Sequence, residues 1–237
     1  MPLPLIILPG YFAAADDYLE MEKALIAGGL AARIVPLSRK DWFPTLGGRS
    51  ITPILNRIHA TVEQVRRDTG SDRVNLVAHS AGGWIARIYL GDSPYDIHGQ
   101  VPGQTYAWGA HRWVSRLVTL GSPHVSQERW TKKNLNFVND NYPGAFESSV
   151  RYVCVAGKAV YGKKGFGGER GQWLAHSSYE LTGGVGEAWG DGITPITAAH
   201  LENAENITLE SVWHSPRSPG LWYGTPSVIS QWIEFLR

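Results

Sequence analysis

The segment LVAHSAGGW, from Leu76 to Trp84, carries a serine whose neighbours suit nucleophilic chemistry. A buried strand is predicted to end there and a helix to begin at once, so that Ser80 lies on a tight turn with its hydroxyl projecting from the sheet. Only small side chains fit beside such a serine, and Ala78 and Gly82 occupy those positions. The usual motif is GxSxG, whereas this chain has AxSxG. The alternative interpretation is that Ser80 only caps the helix.

A serine hydroxyl needs a histidine to take its proton and an acid to orient that histidine, and after this kind of turn the acid precedes the histidine. Asp191, in the turn sequence GDGITP, is the preferred acid, with Asp140 in VNDNYPG as the alternative. His214, in VWHSP after a predicted strand, is the preferred base. His200, in the helical pattern ITAAHLEN, is the alternative. No histidine shows the paired spacing of a metal site, so none is predicted.

Backbone N–H groups are the expected donors for an oxyanion that forms at Ser80. Ala81 follows the serine at the predicted helix N-terminus, where the partial positive charge of the helix adds to its N–H. The second donor is expected in the loop after the first strand, where LPGY contains Gly10, which permits a close backbone approach. We assign the N–H of Tyr11 to this role, and that of Phe12 stays open as the alternative.

The elements that must position these residues alternate between apolar β-type runs and helical periodicity, a pattern typical of an α/β protein with a mostly parallel sheet and helices on both faces. No internal repeat divides the chain, and we expect one domain over residues 1–237. The predicted strands are Leu3–Leu8, Ala31–Leu37, Arg73–Ala78, Trp113–Leu120, Ser149–Ala156 and Glu205–Val212, and the predicted helices are Asp16–Ala27, Thr52–Thr69, one from Ala81 onward, and Ser227–Leu236.

Three segments have weak periodicity and interrupt this alternation, at about 91–111, 124–148 and 157–190. Long loops inside a compact domain usually serve function, and those that follow strand ends border the site of a doubly wound sheet. We therefore predict that these insertions form a lid or a substrate wall. Tryptophans in or beside predicted loops are candidates for an acyl pocket: Trp108, Trp130, Trp173 and Trp222.

The charge and cysteine content exclude several function classes. Twenty-two basic residues face 21 acidic ones, and the basic residues form only isolated pairs, which argues against a nucleic-acid partner. The single cysteine, Cys154, lies in an apolar strand pattern and suits a reducing compartment, so we expect a cytoplasmic protein. The apolar run at residues 1–10 is too short to cross a membrane and is predicted to be the first strand. A peripheral membrane contact stays open.

Taken together, the segments LPGY, LVAHSAGG, TLGSPH, GDGITP and WHSP resemble the lipase and esterase branch of the α/β-hydrolases. They are similar to small bacterial triacylglycerol lipases and to GPI inositol-deacylase-like proteins. The resemblance implies an α/β-hydrolase fold with Ser80 as nucleophile, Asp191 as acid and His214 as base. It also implies backbone donors at Tyr11 and Ala81, and it implies that Gly121 and Ser122 of TLGSPH lie at a strand end near the site, with no assigned chemistry.

The implied activity is hydrolysis of carboxylic esters, above all lipid or acyl esters, through an acyl-enzyme and without a cofactor. The partner would be a small-molecule ester or a lipid. One alternative is a catalytically silent scaffold that binds a ligand or protein through its insertions, because a fold does not fix a function. A second alternative is a cofactor-free perhydrolase or haloperoxidase that uses the same three side chains.

Overall fold

The computed structural model describes residues 2–95, 97, 106–164 and 170–237. The strands are β1 (Leu5–Leu8), β2 (Ala32–Ile34), β3 (Val74–His79), β4 (Val114–Leu120), β5 (Arg151–Lys158), β6 (Val160–Tyr161), β7 (Trp189–Gly190) and β8 (Glu205–Glu210). The α-helices are α1 (Leu19–Ala27), α2 (Thr52–Thr69), α3 (Ala81–Leu90), α4 (Lys132–Asn141), α5 (Arg170–Gly183), α6 (Ile196–Ala199) and α7 (Pro226–Trp232). Short 3₁₀ turns at Ala15–Tyr18, Arg39–Thr45, Ala110–Arg112 and Ile233–Leu236 complete the elements.

Six strands form one parallel sheet in the order β2-β1-β3-β4-β5-β8. The two remaining strands, β6 and β7, pair with each other in antiparallel orientation beside this sheet. Because all six strands of the main sheet run the same way, the segments that follow their carboxyl ends meet at one edge. The sheet and its helices confirm the α/β fold class predicted from the sequence, and the six main strands are those that were predicted.

The two faces of the sheet bury separate apolar clusters. Alternate residues of β1 point to opposite faces, so that Ile6 packs toward α2 and α3 while Ile7 packs toward α1 and α7. Trp84 of α3 belongs to the first cluster and Trp232 of α7 to the second. Both faces are therefore covered by helices, which explains why the central strands are apolar on both sides. Cys154 is fully buried within β5, as predicted.

Most helix ends coincide with the predicted stop signals. The helix α2 covers the predicted range and ends at Gly70, whose φ of 66° is left-handed. The helix α1 ends at Gly28, but its predicted first turn is instead the 3₁₀ turn that ends at Tyr18. No helix within the described ranges has the length and apolar character needed to cross a membrane.

The strands β1 and β4 begin two residues and one residue later than predicted, and two other strands end earlier than predicted for local reasons. The strand β2 ends at Ile34 instead of Leu37, because Pro36 has no N–H to continue the ladder. The strand β8 ends at Glu210, because Ser211 adopts a φ of 61° and turns the chain toward the site. The strand β5 runs two residues beyond its predicted end and pairs there with β8.

Two of the three insertions contain helices and strands that were not predicted from the sequence. The segment 124–148 includes α4, which buries Leu135 and Val138 against the sheet's first cluster. The segment 157–190 includes β6, α5 and β7. The helices α4 and α5 have 10 and 14 residues, and polar residues among their apolar ones hide the helical periodicity, while β6 and β7 have only two residues each. In the first insertion, residues 96 and 98–105 lie outside the described part of the chain, as do residues 165–169 of the third.

Candidate active site

Ser80 lies on the turn between β3 and α3 with φ 53° and ψ −127°, a conformation that costs a non-glycine residue energy and that only its surroundings can impose. Its N–H donates to the carbonyl of Leu120 at the end of β4 (2.9 Å). A Cβ on Gly10 would stand 2.9 Å from the Ser80 Cβ, and one on Gly82 would stand 3.0 Å from the carbonyl of Leu8. Gly10 and Gly82 are therefore needed because β1 and the loop after it pack so closely against the nucleophile turn that a larger side chain would clash.

The structure brings the predicted acid and base to this serine. His214 Nε2 lies 3.0 Å from Ser80 Oγ, and His214 Nδ1 lies 2.8 Å from Asp191 Oδ2. His214 follows β8 on the carboxyl side of the main sheet, whereas Asp191 follows β7, a strand of the small pair. The backbone N–H of His214 also donates to the Asp191 carbonyl (3.0 Å), so the two loops are fixed to each other. Both side chains are buried.

The Asp191 carboxylate accepts four hydrogen bonds. Its Oδ1 accepts the backbone N–H groups of Ile193 (3.0 Å) and Thr194 (2.7 Å), and its Oδ2 accepts His214 Nδ1–H and the hydroxyl of Tyr223 (2.8 Å). Burial opposes ionisation, but the facing His214 and the donated hydrogen bonds outweigh it and hold the pKa of Asp191 below its ordinary value. An ionised Asp191 keeps the proton of His214 on Nδ1, which leaves Nε2 free to accept the Ser80 hydroxyl proton.

His79, the residue before Ser80, connects the other loops of the site. Its Nε2 lies 2.7 Å from the carbonyl of His214, which can only accept, so Nε2 carries the proton. Its Nδ1 therefore accepts the Tyr18 hydroxyl (2.7 Å), and Tyr18 Oη in turn accepts the N–H of Gly10 (2.9 Å). Complete burial, with His214 alongside, lowers the pKa of His79 to about 3, so this imidazole stays neutral. One chain of hydrogen bonds thus joins the loops that hold Gly10, Ser80 and His214.

The motif TLGSPH acquires a structural role at the end of β4. Gly121 has a φ of 56°, and a Cβ there would stand 2.6 Å from Asp191 Oδ2 and 2.8 Å from the Tyr223 ring. The Gly121 carbonyl accepts the hydroxyl of Thr194 (3.0 Å), which anchors the loop of the acid. Ser122 packs behind the nucleophile turn, and its hydroxyl donates to the carbonyl of Ala78 (3.3 Å). The glycine is needed because the acid approaches the backbone closely.

The two backbone groups predicted as oxyanion donors both border Ser80. Ala81 is the first residue of α3, so its N–H has no acceptor inside the helix. The N–H of Gly10 is already used by Tyr18, which leaves the next residues of the loop as donors. Tyr11 lines the space beside Ser80 on both sides, and its side chain is fixed by Thr45 and by ring contact with Trp42. Phe12 has a φ of 57° and is more exposed.

Two clefts open from Ser80, each about 220 Å³. The first cleft contains His214 and the loop after it, and its outer part carries the ion pair of Asp17 and Arg217 (2.9 Å). The second cleft lies on the side of Ala81. Its described lining comes from the nucleophile turn, from α3, α4 and α5, and from the loops after β1, β4 and β7: Tyr11, Ser80, Ala81, Trp84, Pro123, Ser126, Glu128, Thr131, Leu135, Ser178, Leu181, Thr182, Ile193 and Thr194.

The alternatives left open by the sequence lie elsewhere. Asp140 is an exposed residue near the end of α4, and His200 follows α6 and pairs with Thr208 (3.3 Å) instead of reaching Ser80. The expected tryptophans are absent from the described lining of both clefts, where Trp84 of α3 is found instead. Of those four, Trp108 and Trp222 are packed in the apolar clusters, while Trp130 and Trp173 are exposed. Within the described ranges, no cluster of side chains suits a metal ion.

The sequence reading missed the tyrosines that support the site. The hydroxyls of Tyr18 and Tyr223 each accept a hydrogen bond from a backbone N–H and donate one to a site residue, His79 and Asp191 respectively. The only sequence feature that pointed to this network was His79 inside the nucleophile motif, because a residue next to Ser80 must lie at the site and a buried histidine needs hydrogen-bond partners. The spacing of the tyrosines in the sequence could not predict where their hydroxyls lie, because those positions depend on tertiary packing.

Comparison with known proteins identifies the fold. No protein-family model and no curated protein matches this sequence. Among solved structures, the chain is similar to a gene product of Listeria innocua (13% identity, TM-score 0.56, 100% of this chain and 94% of that one). It is similar to a candidate lipase of Sulfolobus solfataricus (11% identity, TM-score 0.52, 100% of this chain and 87% of that one). It is also similar to a candidate cell surface hydrolase of Lactobacillus plantarum (12% identity, TM-score 0.50, 99% of this chain and 92% of that one). The shared architecture is the α/β-hydrolase fold.

Proposed function

We propose that this chain, which has the α/β-hydrolase fold, is a serine hydrolase that cleaves carboxylic esters through an acyl-enzyme. The observation that carries the proposal is the continuous contact from Asp191 Oδ2 through His214 to Ser80 Oγ, at 2.8 and 3.0 Å. These distances are those of a nucleophile, its base and the group that orients the base. The strained serine and its place at a helix N-terminus support the same assignment.

The proposed reaction follows from these contacts. His214 Nε2 takes the Ser80 proton as Oγ attacks the ester carbonyl, and Asp191 stabilises the imidazolium that forms. The N–H groups of Ala81 and Tyr11 would bind the oxyanion. His214 then gives its proton to the leaving alcohol, and in the second half it activates the water that releases the acid. These steps use only groups of the chain and water.

The position of the base assigns the two halves of the ester. The leaving oxygen must meet His214 Nε2, so the alcohol half enters the cleft that contains His214. The acyl half enters the cleft beside Ala81, where Trp84, Leu135 and Leu181 offer apolar contact. Leu181 and Ile193 are about half exposed at that cleft, so its opening is apolar as well. This lining supports a lipid or other acyl ester as substrate.

The test is hydrolysis of p-nitrophenyl esters from acetyl to palmitoyl, with and without a lipid interface, by the wild type and by Ser80→Ala. We expect hydrolysis by the wild type and a loss of kcat of about 10⁴-fold or more in the variant. Equal rates in both proteins would refute the assignment of Ser80. A rate that is highest for acetyl esters would refute a lipid substrate while leaving the ester chemistry in place.

A further inference from the structure

A second side-chain donor to the acid of the site lies on the loop before α7. Tyr223 is fully buried, and its hydroxyl reaches the same Asp191 oxygen, Oδ2, that receives His214 Nδ1–H. We propose that Tyr223 is a positioning residue that sets the pH range of the proposed base by sharing the Asp191 carboxylate with it. The inference rests on the proposed function, in which His214 acts as that base.

The direction of the Tyr223 hydrogen bond is fixed by its neighbours. The N–H of Gly157 donates to Tyr223 Oη (2.7 Å), so the single hydroxyl proton is left for Asp191 (2.8 Å). Burial, reinforced by the negative charge of Asp191, raises the pKa of Tyr223 well above its ordinary value, so the hydroxyl keeps this proton throughout the working pH range. Tyr223 is therefore a permanent donor to the carboxylate.

Sharing one carboxylate oxygen has an electrostatic consequence. A donor at Oδ2 withdraws charge that would otherwise stabilise the imidazolium of His214, so the protonated histidine is less favoured than with an unshared acid. The orientation of Asp191 does not depend on this bond, because the N–H groups of Ile193 and Thr194 hold Oδ1. Loss of the Tyr223 hydroxyl should thus change the charge at Oδ2 more than the position of the carboxylate.

The other titratable groups around the pair do not titrate in the same range. Among the described residues, His79, Tyr179 and Tyr223 face Asp191 and His214, and the ion pair of Asp17 and Arg217 lies in the cleft that contains His214. Burial opposes ionisation of Asp17, but donated hydrogen bonds and the facing arginines outweigh it and hold the pKa of Asp17 below its ordinary value. His79 stays neutral because burial lowers its pKa to about 3, and burial raises the pKa of Tyr179. A change in the acid limb of the pH profile would then report on His214 itself.

Tyr179 offers a matched control. It is also fully buried and accepts a backbone N–H beside the acid, that of Gly192 (2.9 Å), but it gives its proton to the carbonyl of Val160 (3.1 Å). Tyr179→Phe and Tyr223→Phe therefore each leave one backbone N–H without its acceptor, and only the second removes a donor from the carboxylate. Any general cost of losing a buried hydroxyl appears in both variants.

The decisive experiment is an NMR titration of the His214 ring in a Ser80→Ala background, with its resonance assigned by its loss in His214→Ala. We expect the midpoint to rise by roughly half a pH unit or more in Tyr223→Phe and to stay at the value of the Ser80→Ala parent in Tyr179→Phe. In the enzyme with Ser80 intact, the acid limb of kcat/KM should move by the same amount.

Coincident midpoints in Tyr223→Phe and the parent, or equal shifts in both tyrosine variants, would overturn the inference. The titration needs no turnover, so its result is separate from that of the ester assays. If the shift is found but no ester is hydrolysed, the proposed function fails and the sharing of the carboxylate stands. If esters are hydrolysed and the midpoint does not move, only the role of Tyr223 fails.

Discussion

At the scale of single residues, the site depends on hydroxyls that never touch a substrate. The strained backbone of Ser80 is held where the β1 loop, the nucleophile turn and the loop of His214 meet. His79, on the nucleophile turn, binds the loop of His214 through Nε2 and the hydroxyl of Tyr18 through Nδ1. Tyr18 completes this connection by binding the N–H of Gly10. Because each tyrosine hydroxyl in this series of hydrogen bonds accepts one bond and donates another, removing a hydroxyl leaves two partners without a hydrogen bond.

Tyr18→Phe should therefore weaken the oxyanion side of the reaction. With the N–H of Gly10 and the Nδ1 of His79 both unpaired, the loop that carries Tyr11 loses its fixed position. We expect kcat for a p-nitrophenyl ester to fall by roughly 10²-fold, the usual effect of a misplaced oxyanion donor, with a small change in KM. Steady-state kinetics over a range of ester concentrations measures kcat and KM separately.

Tyr89→Phe is the matched control for that variant. Tyr89 is also a buried tyrosine that accepts an N–H, from Trp113 (3.2 Å), and contacts a histidine, His59 (3.1 Å), but it lies in the opposite cluster away from Ser80. Both variants should lose about 1–3 kcal/mol of unfolding free energy, and only Tyr18→Phe should lose kcat. Equal losses of kcat would mean that Tyr18 acts through stability alone.

The residues whose order along the chain is set by the proposed mechanism could be predicted from the sequence. The tyrosines that reach the site only through tertiary packing could not. Ser80 and His214 stand beside recognisable strand ends, and Asp191 lies in a turn sequence between them in the chain. The tyrosines contribute through hydroxyls that are 61 and 32 residues from the groups they bind. Such distances carry no local pattern, because the contact exists only after the sheet has formed.

At the scale of elements, the candidate site lies at the carboxyl end of the parallel sheet, but not every residue of the site follows a main strand. Ser80 follows β3, and His214 lies beyond the end of β8, whereas Asp191 belongs to the loop after β7. The main strands were predictable because they are short runs rich in apolar and β-branched residues that alternate with segments of helical periodicity. The helices of the insertions were not, because short amphipathic segments resemble polar loops.

Gly121→Ala tests how closely the end of β4 approaches the acid. The new Cβ would stand 2.6 Å from Asp191 Oδ2, and the φ of 56° is unfavourable for alanine. We expect the displaced carboxylate to lower kcat by roughly 10²-fold, and the strain to lower the melting temperature. Ester kinetics and thermal unfolding measure the two effects.

Gly171→Ala supplies the comparison within α5. This glycine has no described atom within 4 Å of a built Cβ and no left-handed backbone, so alanine should raise the unfolding free energy by about 0.5–1 kcal/mol and leave kcat unchanged. An unaltered kcat in Gly121→Ala would contradict the close approach of Asp191 to β4.

At the scale of the whole molecule, two helical layers cover the sheet and two clefts meet at the nucleophile. The cleft beside Ala81 is bordered by one face of α5, where Ser178, Leu181 and Thr182 follow one another at helical spacing. If this cleft takes the acyl half, its width should decide which acyl chains are accepted. The α5 face is therefore the place to alter chain-length preference.

Leu181→Trp should narrow the proposed acyl cleft. We expect kcat/KM for octanoyl esters to fall roughly tenfold relative to acetyl esters, since each excluded methylene removes apolar contact. Leu174→Trp, on the same helix but outside the described lining and 60% exposed, should keep the wild-type ratio. A ratio that stays constant in Leu181→Trp would assign the acyl half to the other cleft.

The most direct measurement of the central claim is covalent labelling by a fluorophosphonate, with the modified residue located by mass spectrometry. The account predicts one modification on Ser80, slowed by several orders of magnitude in His214→Ala and little affected in His200→Ala. Folded protein that remains unlabelled would instead indicate a silent binding scaffold. Label on another residue, or equal labelling in both histidine variants, would contradict the assignment of Ser80, His214 and Asp191.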